Sequence, residues 1–520
     1  MLIDGRRVSD GTVLRADCCI IGSGAAGITV ARELARTRAS VLLLESGGFE
    51  FDPRTQALNQ GQVVGEQLDP VNPLRLEDTR LRYFGGTTNH WAGYCRPLEP
   101  GDMETRPHVR GSGWPIARAD LDPWYRLACD VIQIGAFEFD PAYWEAQEAA
   151  GLPLITNERL QTSVYHIHGL HFGEEYRREL TGAGNVRVSI WSNATKLVLA
   201  PDGGRVVGVE VATLGGNRWR AEATTYVLAT GAIEVPRLLL ASNDVATDGI
   251  GNEYDVVGRY FAEHIQLLGG VAVLAPTVQD LRLYKGTNVP IPGKATDTFG
   301  LVGGFRLSEA AIRSEEVLGL EVTFPYLDPA AKKVAEQTTR IRSDDIMGLV
   351  EAVNTRPPQT RGVVKVQAEQ SPNRASRVKL MSEKDPLGVP RVALDWRLSR
   401  LDRESIVRGL RVLATEIGRA GAGRLQIAAG TYVPPDVTDD ERIRGLDFGV
   451  GTGFHHMGTA RMSADPRHGV VDARCRVHGV PNLCIAGGAV FTTGSNATPT
   501  LTIVALALRL ADDIRRELGV

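Results

Sequence analysis

The hydrophobic pattern changes period near the start of the chain. Residues 16–21 (ADCCII) form a short, nearly continuous apolar run, followed by a glycine cluster at 22–27. An amphipathic stretch at 28–39 comes next, then a second apolar run at 40–44. Apolar runs without alternation suit strands covered on both faces, and apolar positions three and four apart suit a helix packed on one side. The order predicts strand, glycine turn, helix, strand, which is one βαβ unit. Residues 186–228 alternate like paired strands, and 231–242 read as a turn into a helix. Helical periodicity is predicted around 120–134, from Ser399 onward, and over 500–518. No internal repeat or low-complexity tract interrupts the chain.

The strand-turn-helix pattern appears, lapses and returns, which predicts one cofactor domain built from separated segments. We place it at residues 1–100, 180–265 and 446–520, with a substrate domain at 101–179 and 266–445. A length of 520 residues fits such an organisation at ~150 residues per domain. Lys and Arg number 58 and Asp and Glu 62, a net charge of −4 that excludes a polycationic nucleic-acid binder. Six cysteines without CxxC spacing predict neither a disulfide scaffold nor a structural zinc site. Arg6-Arg7 is not followed by an apolar segment of export type. The apolar stretch at 501–514 is broken by Arg509, Asp512 and Asp513 and is too short to span a bilayer. The expectation is a cytoplasmic protein without integral membrane contact.

Five motifs carry candidate chemistry. In Gly22-x-Gly24-x-x-Gly27, glycines permit a tight turn and close approach of a pyrophosphate to a helix N-terminus. Glu45, at the end of the next predicted strand, offers a carboxylate to ribose hydroxyls and disfavours a 2′-phosphate. The second motif is Gly85-Gly86-Thr87-Thr88-Asn89-His90-Trp91. The third, Val227 to Glu234, runs from strand through Gly231 into a helix and suits a second pass beneath the same cofactor. The fourth is Phe454-His455-His456-Met457-Gly458-Thr459. Adjacent histidines on a strand face opposite ways, so one should face a site and the other the interior. The fifth runs from Asn482 through Gly487-Gly488 to Asn496-Ala497-Thr498-Pro499-Thr500.

Together these motifs resemble the glucose–methanol–choline family of FAD-dependent oxidoreductases, and they span nearly the whole chain. SGWP…DLDPWY at 112–125 and DWRLSRLD at 395–402 are similar to bacterial members acting on sugars and other alcohols. The resemblance implies an α/β fold: a discontinuous Rossmann-like FAD domain with an interleaved substrate domain containing a mostly antiparallel sheet. It implies that Gly22, Gly24, Ala25, Ala26 and Gly27 cradle the pyrophosphate, with Glu45 and Ser46 at the adenosine ribose. Gly85, Gly86, Thr87 and Asn89 would pass the flavin ring. Gly487 and Gly488 would approach the ribityl chain and pyrophosphate. Pro499, Thr500 and Leu501 would lie by the pyrimidine edge, with the helix dipole stabilising reduced flavin. Val198, Ala229 and Gly231 complete the implied cofactor contacts. His90 matches a histidine bonded to the flavin 8-methyl carbon in pyranose oxidase-like members, although similar loops exist without that bond.

The activity implied is alcohol oxidation, with hydride passing to flavin N5 while a base takes the hydroxyl proton. His455 matches the family's base, with His456 the adjacent second choice. The slot before Pro-Thr, His or Asn in the family, is here Thr498, with Asn496 two residues earlier. Either could partner the base. The implied partners are a small alcohol, on a sugar or sugar-like molecule, and oxygen or another electron acceptor. A non-sugar alcohol, or a lyase using FAD only structurally, are the alternatives within the fold. An NAD-dependent dehydrogenase would leave the second and fifth motifs unexplained, and a catalytically dead subunit would not need His455. His264 is expected to be structural, and His166, His168 and His171 to line substrate or a surface loop rather than bind a metal.

Overall fold

The computed structural model describes residues 1–65, 74–146, 157–275, 282–291, 297–324, 361–427 and 451–520. Two large sheets organise them. In the first, the strands run in the order Leu2–Asp4, Val186–Ile190, Val41–Leu44, Val13–Ile21, Arg218–Leu228, Val480–Ile485 and Arg476–Val477. All neighbours pair in parallel except the last two. The antiparallel strands Asn193–Leu199 and Val206–Ala212 extend from Arg218–Leu228. Cys18, Cys19, Ile20 and Ile21 are buried, as are all four residues of Val41–Leu44, because helices cover the sheet. The helix Ala25–Ala35 packs against the final helix Thr500–Leu518.

Register brings the motifs together. Leu228 lies opposite both Ile21 and Ile485, and Ile21 lies opposite Leu44. Four parallel strands therefore end at one level, and the turns leaving them emerge on one edge. These turns begin at Gly22, Glu45, Ala229 and Ala486. The carboxyl edge of an open parallel sheet is where such folds bind ligands.

The second sheet is antiparallel throughout its described pairings. One face of it, with Leu320, Val322, Val364, Val366 and Leu267, packs beneath the helix Arg400–Arg419 in an apolar core that includes Ile406, Leu410 and Leu413. Strand alternation then sends Glu321, Thr323, Lys365, Gln367 and Gln266 to the other face, across paired positions. The expected α/β fold with a second, antiparallel sheet is the fold observed. Tyr94–Cys95 and Gly451–Thr452, inside expected cofactor segments, join this second sheet by pairing with Leu160–Ile167 and Ile265–Leu274. A smaller three-stranded sheet combines Arg377–Lys384, Pro390–Asp395 and Gly61–Val63. Among the described residues no helix is long and apolar enough to cross a membrane.

Candidate active site

A cavity of about 730 Å³ lies between the carboxyl edge of the parallel sheet and the polar face of the antiparallel one. Gly22, Gly24, Ala25, Ala26, Glu45, Ser46, Gly86, Thr87 and His90 line it from the first two motifs. Ala229, Gly231, Gly487, Gly488, Thr498, Pro499, Thr500, His455 and His456 line it from the other three. Other expected residues lie outside that lining. Gly27 sits beneath the turn, and Gly85 supports it by donating its N–H to the Ser23 carbonyl at 3.0 Å. Asn89 Nδ2 donates to the Phe84 carbonyl at 3.0 Å. Val198 lies within the strand Asn193–Leu199, opposite Gly208, and Leu501 is fully buried.

The residues fit a dinucleotide. Gly24 has an ordinary φ of −72°, and no protein atom lies within 4 Å of where its Cβ would stand. Gly231 and Gly487 likewise face open space. The protein's own packing does not demand glycine at Gly24, whereas a ligand lying on the backbone would. Gly24 caps the helix Ala25–Ala35, and Pro499 the helix Thr500–Leu518, in both cases without a side-chain hydrogen bond, which leaves N–H groups for an anion. Glu45 accepts from Ser23 N at 3.0 Å, Ser23 Oγ at 2.6 Å and Gly47 N at 3.0 Å, which orients its carboxylate at the cavity wall. Thr502, in the first turn of the helix Thr500–Leu518, bonds the Tyr125 hydroxyl at 2.8 Å in the interior.

His455 and His456 both reach the cavity, contrary to the expected alternation. The segment is not a strand there, and Phe454 at φ +55° turns the backbone and breaks the two-residue period. His455 N donates to Glu263 Oε1 at 2.7 Å, and His455 Nδ1 lies 2.7 Å from His264 Nδ1. His264 is thus drawn to the site rather than lying apart from it. Burial lowers the His264 pKa to about 4 and that of His456 to about 3. His455 is also driven well below the ordinary histidine value, by burial and then by His264, His456 and Lys365. These imidazoles are therefore neutral at pH 7, the state a proton acceptor requires. Burial raises Glu263 to about 8, against hydrogen bonds from His455, His264 and Gly453 backbone groups.

Of the two candidate partners, one is already hydrogen-bonded and the other lies away from the cavity. The Thr498 hydroxyl donates to the Tyr94 carbonyl at 2.7 Å. Asn496 is outside the cavity lining; its Nδ2 donates to Glu321 Oε2 at 3.2 Å, and its backbone carbonyl accepts from Gln367 Nε2 at 2.8 Å. Sequence reasoning missed Glu321, Thr323, Lys365, Gln367 and Gln266, whose only signal was alternation within ordinary strands. It also missed Arg80 and Arg82, which hold Glu234 at 2.8 and 2.6 Å on the cavity wall. His166 is a core residue bonded to the Ile134 and Glu138 carbonyls, and His168 bonds the Ile132 carbonyl, so neither lines the cavity. No metal-binding cluster occurs among the described residues.

A parallel-sheet edge with two helix ends lacking side-chain caps, glycines facing open space and a neutral imidazole is the site of a dinucleotide-binding enzyme. Residues 17–250 match the family model described as FAD dependent oxidoreductase, and 372–507 match that of GMC oxidoreductase. A C-glycoside 3-oxidase of Arthrobacter globiformis is 32% identical, over 93% of this chain and 82% of that protein. The paromamine 6'-oxidase of Streptomyces fradiae is 26% identical over 96% of this chain and 92% of its own length. The solved pyridoxine 4-oxidase from Mesorbium loti superposes with a TM-score of 0.58 at 20% identity, covering 96% of this chain and 98% of that one. The chain belongs to the glucose–methanol–choline family of FAD-dependent oxidoreductases that act on alcohol groups.

Proposed function

We propose that the protein oxidises a hydroxyl of a sugar or sugar-like molecule, with His455 as the base that receives the hydroxyl proton. Bound FAD supplies the hydride acceptor. The carrying observation is the meeting of a neutral His455 with a sheet face of Gln266, Glu321, Thr323, Lys365 and Gln367 in one cavity. That face presents both donors and acceptors, which suits a ligand with several hydroxyls better than an apolar alcohol. The parallel-sheet segments serve as the cofactor body and the antiparallel sheet as the substrate floor. On this reading Gly24, Gly487 and the two helix ends hold the dinucleotide, and Thr498 shapes the floor beside Tyr94. The six cysteines, all unpaired and buried, support a cytoplasmic setting.

The test is anaerobic mixing of the yellow holoenzyme with sugars, aminosugars and simple alcohols while following flavin absorbance. Polyhydroxylated compounds should bleach the flavin, and readmitted air should restore the colour if oxygen is the acceptor. His455→Ala should slow bleaching by roughly 10²–10⁴-fold while the protein stays yellow. A yellow wild-type protein that no alcohol bleaches would refute alcohol oxidation and favour the lyase. Acid precipitation tests His90: colour in the pellet, lost in His90→Ala, would establish a covalent bond to the flavin.

A further inference from the structure

We infer that His264 is a positioning residue that sets the tautomer of His455, keeping the proton on His455 Nδ1 and leaving Nε2 as the proton-accepting nitrogen. This rests on the reading of His455 as base. His264 Nε2 lies 2.9 Å from the Ser495 carbonyl and 3.2 Å from that of Gly494. Carbonyl oxygens only accept, so Nε2 must carry the His264 hydrogen. His264 is fully buried and neutral, so it has one ring hydrogen, and its Nδ1 is a bare lone pair. The 2.7 Å separation between the two Nδ1 atoms needs a hydrogen between them, and only His455 can provide it. A neutral His455 with its hydrogen on Nδ1 has a bare Nε2.

The arrangement is fixed at the backbone as well as the rings. Glu263 Oε1 accepts from His264 N at 2.9 Å and from His455 N at 2.7 Å, so one oxygen holds both residues. The rings meet edge to face at 84°, with centroids 4.9 Å apart. The charged and titratable groups around the pair are His456 and Lys365 toward His455, Glu369 and Arg96 toward His264, and Glu263 between the two backbones. None of them is hydrogen-bonded to His455 Nδ1 in place of His264. When His455 takes the substrate proton on Nε2, its Nδ1–H still points at the His264 lone pair, which stabilises the imidazolium.

The experiment compares wild type, His264→Leu, His264→Asn and His455→Ala as FAD-loaded enzymes, by anaerobic flavin reduction across pH and by ¹⁵N-histidine NMR. With ten histidines in the chain, loss of one signal set in His455→Ala assigns that residue. Wild type should show a protonated Nδ1 and an unprotonated Nε2 at His455. His264→Leu removes the acceptor, so the signals should shift toward the opposite tautomer. Its flavin-reduction rate should fall ~10–10²-fold with half-saturation changed less than about threefold. The imidazolium loses a stabilising acceptor, so the acid limb should move to lower pH by about one unit. His264→Asn retains a carbonyl acceptor and should recover part of the rate and of the shift. A wild-type spectrum with the hydrogen on Nε2 overturns the inference, as does His264→Leu with unchanged tautomer and acid limb, whatever its rate. Unimpaired flavin reduction in His455→Ala would instead overturn the base assignment, leaving the tautomer itself readable in the spectra.

Discussion

Gly24 and Gly27, three residues apart in one turn, are glycine for different reasons. A Cβ on Gly27 would stand 1.9 Å from the Gly22 carbonyl oxygen, so the close approach of helix to strand forbids any side chain. At Gly24 the same atom would enter open cavity. Gly27→Ala should therefore destabilise the fold by about 1–3 kcal/mol or more, measured by urea unfolding. Gly24→Ala should change stability by less than about 1 kcal/mol, the scale of a helix-cap change. It should nevertheless raise the FAD dissociation constant by ~10-fold or more, read by flavin loss on dialysis. Both glycines were legible in the sequence as one motif, but the division of labour between them was not. Spacing does not say whether the space beside a residue belongs to the protein or to a ligand. The nearness of His264 to His455 was not legible for a related reason: 191 positions separate them, and no local pattern joins them.

Helices were the elements read most directly. Periodicity from Ser399 predicted a helix, and Arg400–Arg419 forms with Ser399 as its cap. Ser399 Oγ accepts from Asp402 N at 3.1 Å, and the Asp402 carboxylate accepts from Ser399 N at 2.6 Å. The reciprocal bonds satisfy two end groups at once. Ser399→Ala should cost about 1 kcal/mol and lower the melting temperature by ~2–4 °C in a thermal scan. This helix matters to the site because its apolar face covers one side of the antiparallel sheet, leaving the polar side for the cavity. Individual strands of that sheet were harder to read. Alternation in a segment such as Leu320–Thr323 shows that it has two faces, while only its neighbours decide which face meets ligand.

Across the whole molecule, buried polar contacts that cross long stretches of sequence tie loops to the antiparallel sheet. Arg106 Nη1 reaches Glu369 Oε2 at 2.8 Å, and its other arm contacts Oε1. Glu369 also accepts from Gly319 N at 3.0 Å, and burial is outweighed by Arg106, so its carboxyl stays below the usual range. Glu369→Ala would leave the Arg106 charge buried without its partner. The expected cost is ~3–5 kcal/mol in denaturant unfolding. Asn496 Nδ2 donates to Glu321 in a second such contact, outside the cavity lining. The sequence alone was enough for the βαβ start and its glycine turn, while the resemblance carried by its five motifs pointed to the family and to His455 as base candidate. The turn and its helix depend on short-range chemistry: backbone turns, helix caps and residue types at fixed spacing. It took the tertiary structure to show which face of the antiparallel sheet meets the cavity, that both adjacent histidines reach it, and that His264 stands behind His455. Those depend on register and on a backbone turn at Phe454, which bring together groups far apart along the chain.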